Sequence, residues 1–299
     1  MEEEIEDILQ NTVNKLCKPD SYKDVFHGTL NNVPMPSILA LKEIVELLRE
    51  TIFPGYFGNH SVKKENLSYY IGVNIDKIYR LLSEQIKRGI CFEMCDIKKH
   101  NNSCTECDKI AESKSQIFIS KIPLIRHLLT TDVHATFNGD PAAKNYGEII
   151  YCYPGIKALT NYRIAHELLK LDISLIPRMI TELAHSETGI DIHPGASIGE
   201  FFAIDHGTGV VIGETSVIGK NVKIYQGVTL GAKSFPLDEQ GNPIKGVPRH
   251  PIIEDNVVIY SEATILGRIT IGKGSIVGGN IWVTNDLAPN SKITQSTPK

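Results

Sequence analysis

The chain carries no excess of positive charge: 31 Lys and Arg stand against 35 Asp and Glu in 299 residues, a net charge of -4. Without a basic face, the usual electrostatic footprint of a nucleic-acid binder is missing. The sequence also lacks any apolar run of the roughly 20 residues that a membrane helix needs. Its start, Met1-Glu2-Glu3-Glu4, is the opposite of the basic opening of a secretion signal. These absences make a soluble cytoplasmic protein the expectation, with length for one or two domains and enough apolar content for a core. Cysteine is sparse and unevenly placed. Four of the six, Cys91, Cys95, Cys104 and Cys107, fall in one polar stretch, CFEMCDIKKHNNSCTEC. The closing CxxC could hold zinc or cycle between thiol and disulfide, but the CxxxC before it is irregular for a zinc ribbon. In a reducing compartment, free thiols on a helix-loop-helix segment are the simplest reading, and no metal is expected.

What is present is a beat. Ile192, Ile198 and Ile204, then Ile212, Ile218, Ile224 and Leu230, then Ile253, Ile259, Ile265, Ile271, Val277 and Val283 recur every six residues, with two breaks. A six-residue repeat cannot hold one face of a helix of 3.6 residues per turn, but it fits short strands whose alternate residues point inward. Small residues follow the apolar one, as in Ile198-Gly199, Ile212-Gly213 and Ile271-Gly272, where the chain must bend sharply. Such a period marks a parallel β-helix, whose stacked coils bury one aliphatic column. An ordinary sandwich of short strands would not keep a constant register over so many units.

Upstream, the pattern is helical. Ser37 precedes a stripe of Ile38, Leu41, Val45, Leu48 and Ile52 that stops at Phe53-Pro54-Gly55, and a second stripe runs from Ile71 to Ile86 and ends near Gly89. Further helices are expected from about Asp108 to Thr130, from Ile156 to Leu171, and from Ile173 to Ala184. The period changes near Gly189, giving an expected helical domain over 1–189 and a β-helix domain over 190–299. A helical domain stacked on the first coil would cover the raw end of a solenoid, and it could also carry oligomer contacts.

Chemistry is expected where the beat fails. Between Ile204 and Ile212 lie two residues too many, in Asp205-His206-Gly207-Thr208-Gly209, so the excess is pushed out of the coil. Glycines on that bulge should leave room beside His206 for a ligand. The second break, about 231–252, is rich in Gly, Pro and charge, hence a projecting loop, and it closes on Arg249-His250-Pro251. A third polar group, Asp191-Ile192-His193-Pro194, opens the solenoid. His166, within an expected helix, reads as a packed or capped residue.

Taken together, DIHPGASIG, AIDHGTGVVIGE, QGVTLG and RHP after a loop, with GDPAA at 139–143 and YRIAHEL at 162–168 upstream, resemble the serine acetyltransferases of the hexapeptide-repeat acyltransferase superfamily. The long loop and FPGYFG resemble the family's longer bacterial form. The resemblance implies an α+β protein, helices followed by a left-handed parallel β-helix. It implies transfer of the acetyl group of acetyl coenzyme A to the hydroxyl of L-serine, giving O-acetyl-L-serine for cysteine synthesis. By motif, His206 is the base that activates the hydroxyl, and Asp191 aligns with the carboxylate that pairs with that histidine. Arg249 and His250 would hold the substrate carboxylate, with Asp140 and Asp205 on its ammonium. Gly231, Ala232, Ser261, Ala263 and Gly279 match positions along the coenzyme groove, where the family often has a second Gly in place of Ala232. In this superfamily that groove lies between solenoids of a trimer, which implies a homotrimer or a dimer of trimers. Many members of the family end in an Ile that docks into O-acetylserine sulfhydrylase; this chain ends Thr297-Pro298-Lys299, so the resemblance leaves that partner open. Cysteine feedback at the serine site is implied.

Two other readings use the same scaffold. A hexapeptide acyltransferase with a sugar or another amino acid as acceptor would keep the base but not the clamp of Arg249, Asp140 and Asp205. A γ-type carbonic anhydrase would set three neutral histidines on zinc, for which His193, His206 and His250 are the candidates.

Overall fold

The computed structural model describes residues 2–28, 33–58, 61–96 and 104–295. Among the described residues eight α-helices come first: α1 (Glu2–Leu16), α2 (Pro19–Tyr22), α3 (Ile38–Ile52), α4 (Leu67–Asp96), α5 (Cys104–Gly139), α6 (Tyr146–Cys152), α7 (Pro154–Leu169) and α8 (Ile176–Thr188). Ser37 caps α3 as its pattern requires, its side chain accepting from the Ala40 N–H at 3.3 Å. Leu41, Ile44, Val45 and Leu48 of α3 are buried, as are Ile78, Leu82 and Ile86 of α4, and α4 packs along α5. Cys91 and Cys107 are buried near the ends of that helix pair. The side chains of Cys95 and Cys104 lie outside the described residues, as do Thr297, Pro298 and Lys299. No described helix is long and apolar enough to cross a membrane.

Gly189 ends α8 in the left-handed region at φ 68°, and strands follow at once. They are β1 (Asp191–Ile192), β2 (Ser197–Ile198), β3 (Ala203–Ile204), β4 (Val211–Ile212), β5 (Val217–Ile218), β6 (Lys223–Ile224), β7 (Thr229–Gly231), β8 (Ile252–Ile253), β9 (Val258–Ile259), β10 (Thr264–Leu266), β11 (Thr270–Ile271), β12 (Ile276–Val277), β13 (Trp282–Val283) and β14 (Lys292–Ile293). All pair in parallel and form three faces. Face A stacks β1, β4, β7, β10 and β13; face B stacks β2, β5, β8 and β11; face C stacks β3, β6, β9, β12 and β14. As far as β13 the chain visits A, B and C in turn, the left-handed β-helix expected of the six-residue beat, and β14 then joins face C. Every beat residue from Ile192 to Val283 is buried, together forming one aliphatic column.

Helix α7 closes the first coil. Tyr162 donates to the Ala196 carbonyl at 2.6 Å, and the Arg163 guanidinium reaches the Ile198 and Gly199 carbonyls at 3.4 and 2.9 Å. His166 Nδ1 donates to the Pro194 carbonyl at 2.8 Å. The first coil has no coil beneath it, and these carbonyls would otherwise be orphaned under the helical layer. Arg163 is in turn held by Asp132 of α5 through bonds of 2.6 and 2.8 Å, with relative exposures of 3% and 0%. Asp132 Oδ1 also accepts from the Phe202 N–H at 3.1 Å. The YRIAHEL segment is thus the plate on which the solenoid is built, and His166 is the packed residue its sequence suggested.

Candidate active site

The two breaks in the beat fall at two different corners of the prism. At the corner from face C to face A, residues 205–210 cross over the entry to β1. Gly209 donates to the Gly189 carbonyl at 2.8 Å and Asp191 to the Val210 carbonyl at 2.9 Å. His206 takes φ 57° there, a left-handed conformation unusual for a residue with a Cβ, and its side chain is 75% exposed. Gly207 follows at φ 96°. The space beside it is filled rather than open: an added Cβ would lie 2.5 Å from Ile190 Cδ1. The glycine therefore serves close packing of the bulge on the coil below, and the room expected for a ligand is not at Gly207.

Acidic groups gather around His206. Its Nε2 lies 3.9 Å from Asp205 Oδ1, while Asp205 Oδ2 takes the Lys223 ammonium at 2.9 Å. Lys223 also donates to the Gly139 carbonyl at the end of α5, at 2.7 Å. That contact ties the solenoid to the following residue, Asp140, whose two oxygens accept from Tyr153 Oη at 2.7 Å and Ala142 N at 2.8 Å. The Tyr153 hydrogen bond, then the Ala142 bond, hold the Asp140 carboxyl below the usual range, with lesser help from Lys223 and His206. The same bond pushes the Tyr153 phenol up to about 12. Asp140, Asp205 and His206 thus share one corner. Asp191 begins β1 at the foot of it, but the recorded partner of its carboxylate is Arg178 Nη1 of α8 at 3.5 Å, and Arg178 Nη2 also holds Glu182 at 2.5 Å.

The corner from face A to face B holds the other charged residues. His250 lies on Gly213, where a Cβ would stand 2.0 Å from its ring. Its Nδ1 accepts from the Thr215 N–H at 3.0 Å, and the Thr215 hydroxyl accepts from the backbone N–H groups of Arg249 and His250 at 2.9 and 3.1 Å. Burial, then the neighbouring Arg249 charge, depress the His250 imidazole to about 4. The neutral ring therefore carries its proton on Nε2, as a donor. Arg249 Nη2 rests on Glu214 Oε2 at 2.7 Å. His193, at the same corner, uses Nδ1 to accept from the Gly195 N–H at 3.0 Å, and burial lowers its pKa.

These tautomers bear on zinc. A neutral imidazole that accepts at Nδ1 has no lone pair left on Nε2, so neither His193 nor His250 is set up as a ligand. The group of three potential metal-binding side chains among the described residues is instead Glu182, His185 and Asp191, with Arg178 already against two of them.

The coenzyme candidates divide between the same two corners. Ser261 and Gly279 stack directly in neighbouring coils above His206, since an added Cβ on Gly279 would lie 3.0 Å from the Ser261 carbonyl oxygen. Ala263 joins them in sequence but is fully buried, leaving only its backbone for contact. Gly231 ends β7 on face A and Ala232 follows it, at the start of the corner from face A to face B. One chain therefore presents the proposed base and ammonium ligands at one corner and the carboxylate ligands at another, with face A between them. Sequence motifs did not single out Lys223, Tyr153, Thr215 or Glu214. The repeat register could have found Lys223, because β6 pairs Lys223 with Ala203, two residues before Asp205.

Known proteins resemble the chain in sequence and in fold. A plasmid serine acetyltransferase of Synechococcus elongatus is 50% identical over 263 residues, 88% of this chain and 82% of that protein. A serine acetyltransferase of Bacillus licheniformis is 46% identical over 166 residues, 56% of this chain and 73% of its own length. Among solved structures, serine acetyltransferase 1 of Entamoeba histolytica, in complex with L-cysteine, superposes with a TM-score of 0.72 at 35% identity, over 91% of this chain and 92% of that one. No family model matches the chain.

Proposed function

The chain belongs to the serine acetyltransferase family, and on that premise we propose how its residues share the work of making O-acetyl-L-serine from acetyl coenzyme A and L-serine. A serine hydroxyl is a weak nucleophile at neutral pH and needs a base as it attacks the thioester carbonyl. His206 is that base. Its imidazole takes the hydroxyl proton as the oxygen bonds to the acetyl carbon; the tetrahedral intermediate then collapses, the carbon–sulfur bond breaks, and the proton passes to the departing thiolate. Asp191, at the foot of the same corner, steadies the imidazolium once its Arg178 contact opens. Asp140 and Asp205 receive the substrate ammonium, and Arg249 with the Nε2–H of His250 receives its carboxylate.

The observation that carries this reading is the display of His206 on a left-handed bulge with two acidic groups beside it. Because Arg249 and His250 stand at another corner, we read the complete site as shared between neighbouring chains of a trimer, in which one chain's C-to-A corner faces the next chain's A-to-B corner. The long arm of the coenzyme would then lie in that groove, against Ser261 and Gly279 of one chain and Gly231 and Ala232 of the other. Release of thiol from acetyl coenzyme A, measured against a panel of amino acids and sugars, tests the reading. Serine should be the preferred acceptor, and His206→Ala should lower turnover by about 10²–10⁴-fold. Equal rates in the variant would remove His206 as base, and a preferred sugar would remove the substrate assignment.

A further inference from the structure

The carboxylate of Asp205 is shared. One oxygen faces His206 Nε2 at 3.9 Å and the other holds the Lys223 ammonium at 2.9 Å. Lys223 projects from β6, in the coil above Asp205, and is largely enclosed, with side-chain exposure of 18%. It has three partners: Asp205, the Gly139 carbonyl at 2.7 Å, and the face of Tyr225, whose ring centre lies 4.6 Å from Nζ. Burial on its own would lower the Lys223 pKa, but the contacts with Tyr225 and Asp205 outweigh it, so the ammonium stays charged.

A base must meet its substrate unprotonated. A lone carboxylate 3.9 Å from an imidazole favours the imidazolium and so works against that requirement. We propose that Lys223 is a positioning residue that sets the charge balance of this corner: its ammonium offsets the Asp205 carboxylate and thereby keeps the His206 imidazole ready to accept a proton.

This inference rests on the reading of His206 as base. The charge count supports it. From the helical side the corner faces Asp140, the Tyr153 phenol that donates to it, and Glu148 beyond. From the coils it faces Asp205, Lys223 and Tyr225, and at its foot lies Asp191 with Arg178. Around the position assigned to the substrate ammonium there are thus two carboxylates, Asp140 and Asp205, and one fixed ammonium. The incoming amino acid brings the second positive charge. Without Lys223, the proton that restores neutrality would be drawn to His206. The Gly139 contact adds a mechanical part, because the same ammonium holds the end of α5, and with it Asp140, against the solenoid.

The test is the pH profile of kcat/KM for serine in the wild type, Lys223→Met, Lys223→Gln and Lys223→Arg. Methionine keeps the apolar stem and glutamine a polar end, so a folding defect peculiar to one is exposed by the other. Loss of the charge should move the acid limb of the profile upward by about half a unit to one unit of pH, and Lys223→Arg should return it towards the wild type. A limb that stays in place in Lys223→Met and Lys223→Gln, or that moves equally in Lys223→Arg, overturns the proposal. His206→Ala, assayed alongside, separates the two levels. If it keeps the wild-type rate, the reading of the base has failed; if it loses the rate while the Lys223 variants keep the wild-type limb, only the present inference has failed.

Discussion

The corner from face B to face C and the corner from face C to face A are made by the same repeat, yet only the second holds the proposed base. From B to C, four residues link the strands in each coil: 199–202, 219–222, 254–257 and 272–275. From C to A the link is again four residues at 225–228, 260–263 and 278–281, but six at 205–210. A four-residue turn is used up by stacking, since its backbone bonds run to the coils beside it and its apolar residue goes to the core. Two further residues have no place in the stack and must stand out from it. The corner from A to B makes the same point at larger scale, where the link to β8 runs through the whole projecting loop. Display of reactive groups on this fold is therefore a matter of local excess length, and the regular corner is the internal control.

If chemistry is divided between two corners that meet across a chain boundary, mixing should reveal it. His206→Ala and Arg249→Ala chains should each be nearly inactive alone. When denatured together and refolded, about a quarter of randomly formed pairings would join an intact C-to-A corner to an intact A-to-B corner, and the mixture should regain roughly that share of thiol release. A mixture no more active than its components would place both corners in one chain's site and break the comparison. A smaller effect comes from the plate beneath both corners. Asp132→Ala leaves the Arg163 charge buried without its partner and should cost about 3–5 kcal/mol of stability, read as a lower midpoint of chemical unfolding. The smallest effect separates the corners by pH. His250 is held near 4 in the folded chain against an ordinary 6.5, so the unfolded chain binds more protons between those values. Stability should then be complete above about 6.5 and fall as the pH drops towards 4, and His250→Gln should flatten part of that slope in thermal melts.

Much of this was legible because the repeat carries its own ruling. A residue off the six-residue register is visible without any knowledge of the fold, which is how Asp205 and His206, and then Arg249 and His250, stand out. The aliphatic positions of the beat all went to the core, and α3, α4, α5, α7 and α8 fall where helices are expected, with α4 and α5 running past the expected ends and α6 not anticipated. What the sequence hid are contacts between segments far apart in the chain. Lys223 sits in register within an ordinary coil, and nothing near it reveals that the carbonyl of Gly139, at the end of α5, lies 2.7 Å away. Tyr153 precedes a helix as any N-cap residue might, and its bond to Asp140 depends on how α5 and α7 are set by the plate of Tyr162, Arg163 and His166. Gly207 was misjudged for the same reason, since the side chain that fills its space, Ile190, arrives from the coil below.

The stacking of the C-to-A corners has a metrical consequence. Parallel strands repeat about every 4.8 Å across a sheet. The corners at 205–210, 225–228, 260–263 and 278–281 are therefore rungs of a scale, and the span from His206 to Gly279 covers three of its divisions, about 14 Å. A solenoid of this kind converts the number of its coils into length. On the proposed reading, in which the thioester is presented at the bulge and its tail lies along these corners, adding or deleting one coil would recalibrate the chain for a longer or shorter acyl carrier while leaving the reacting end untouched.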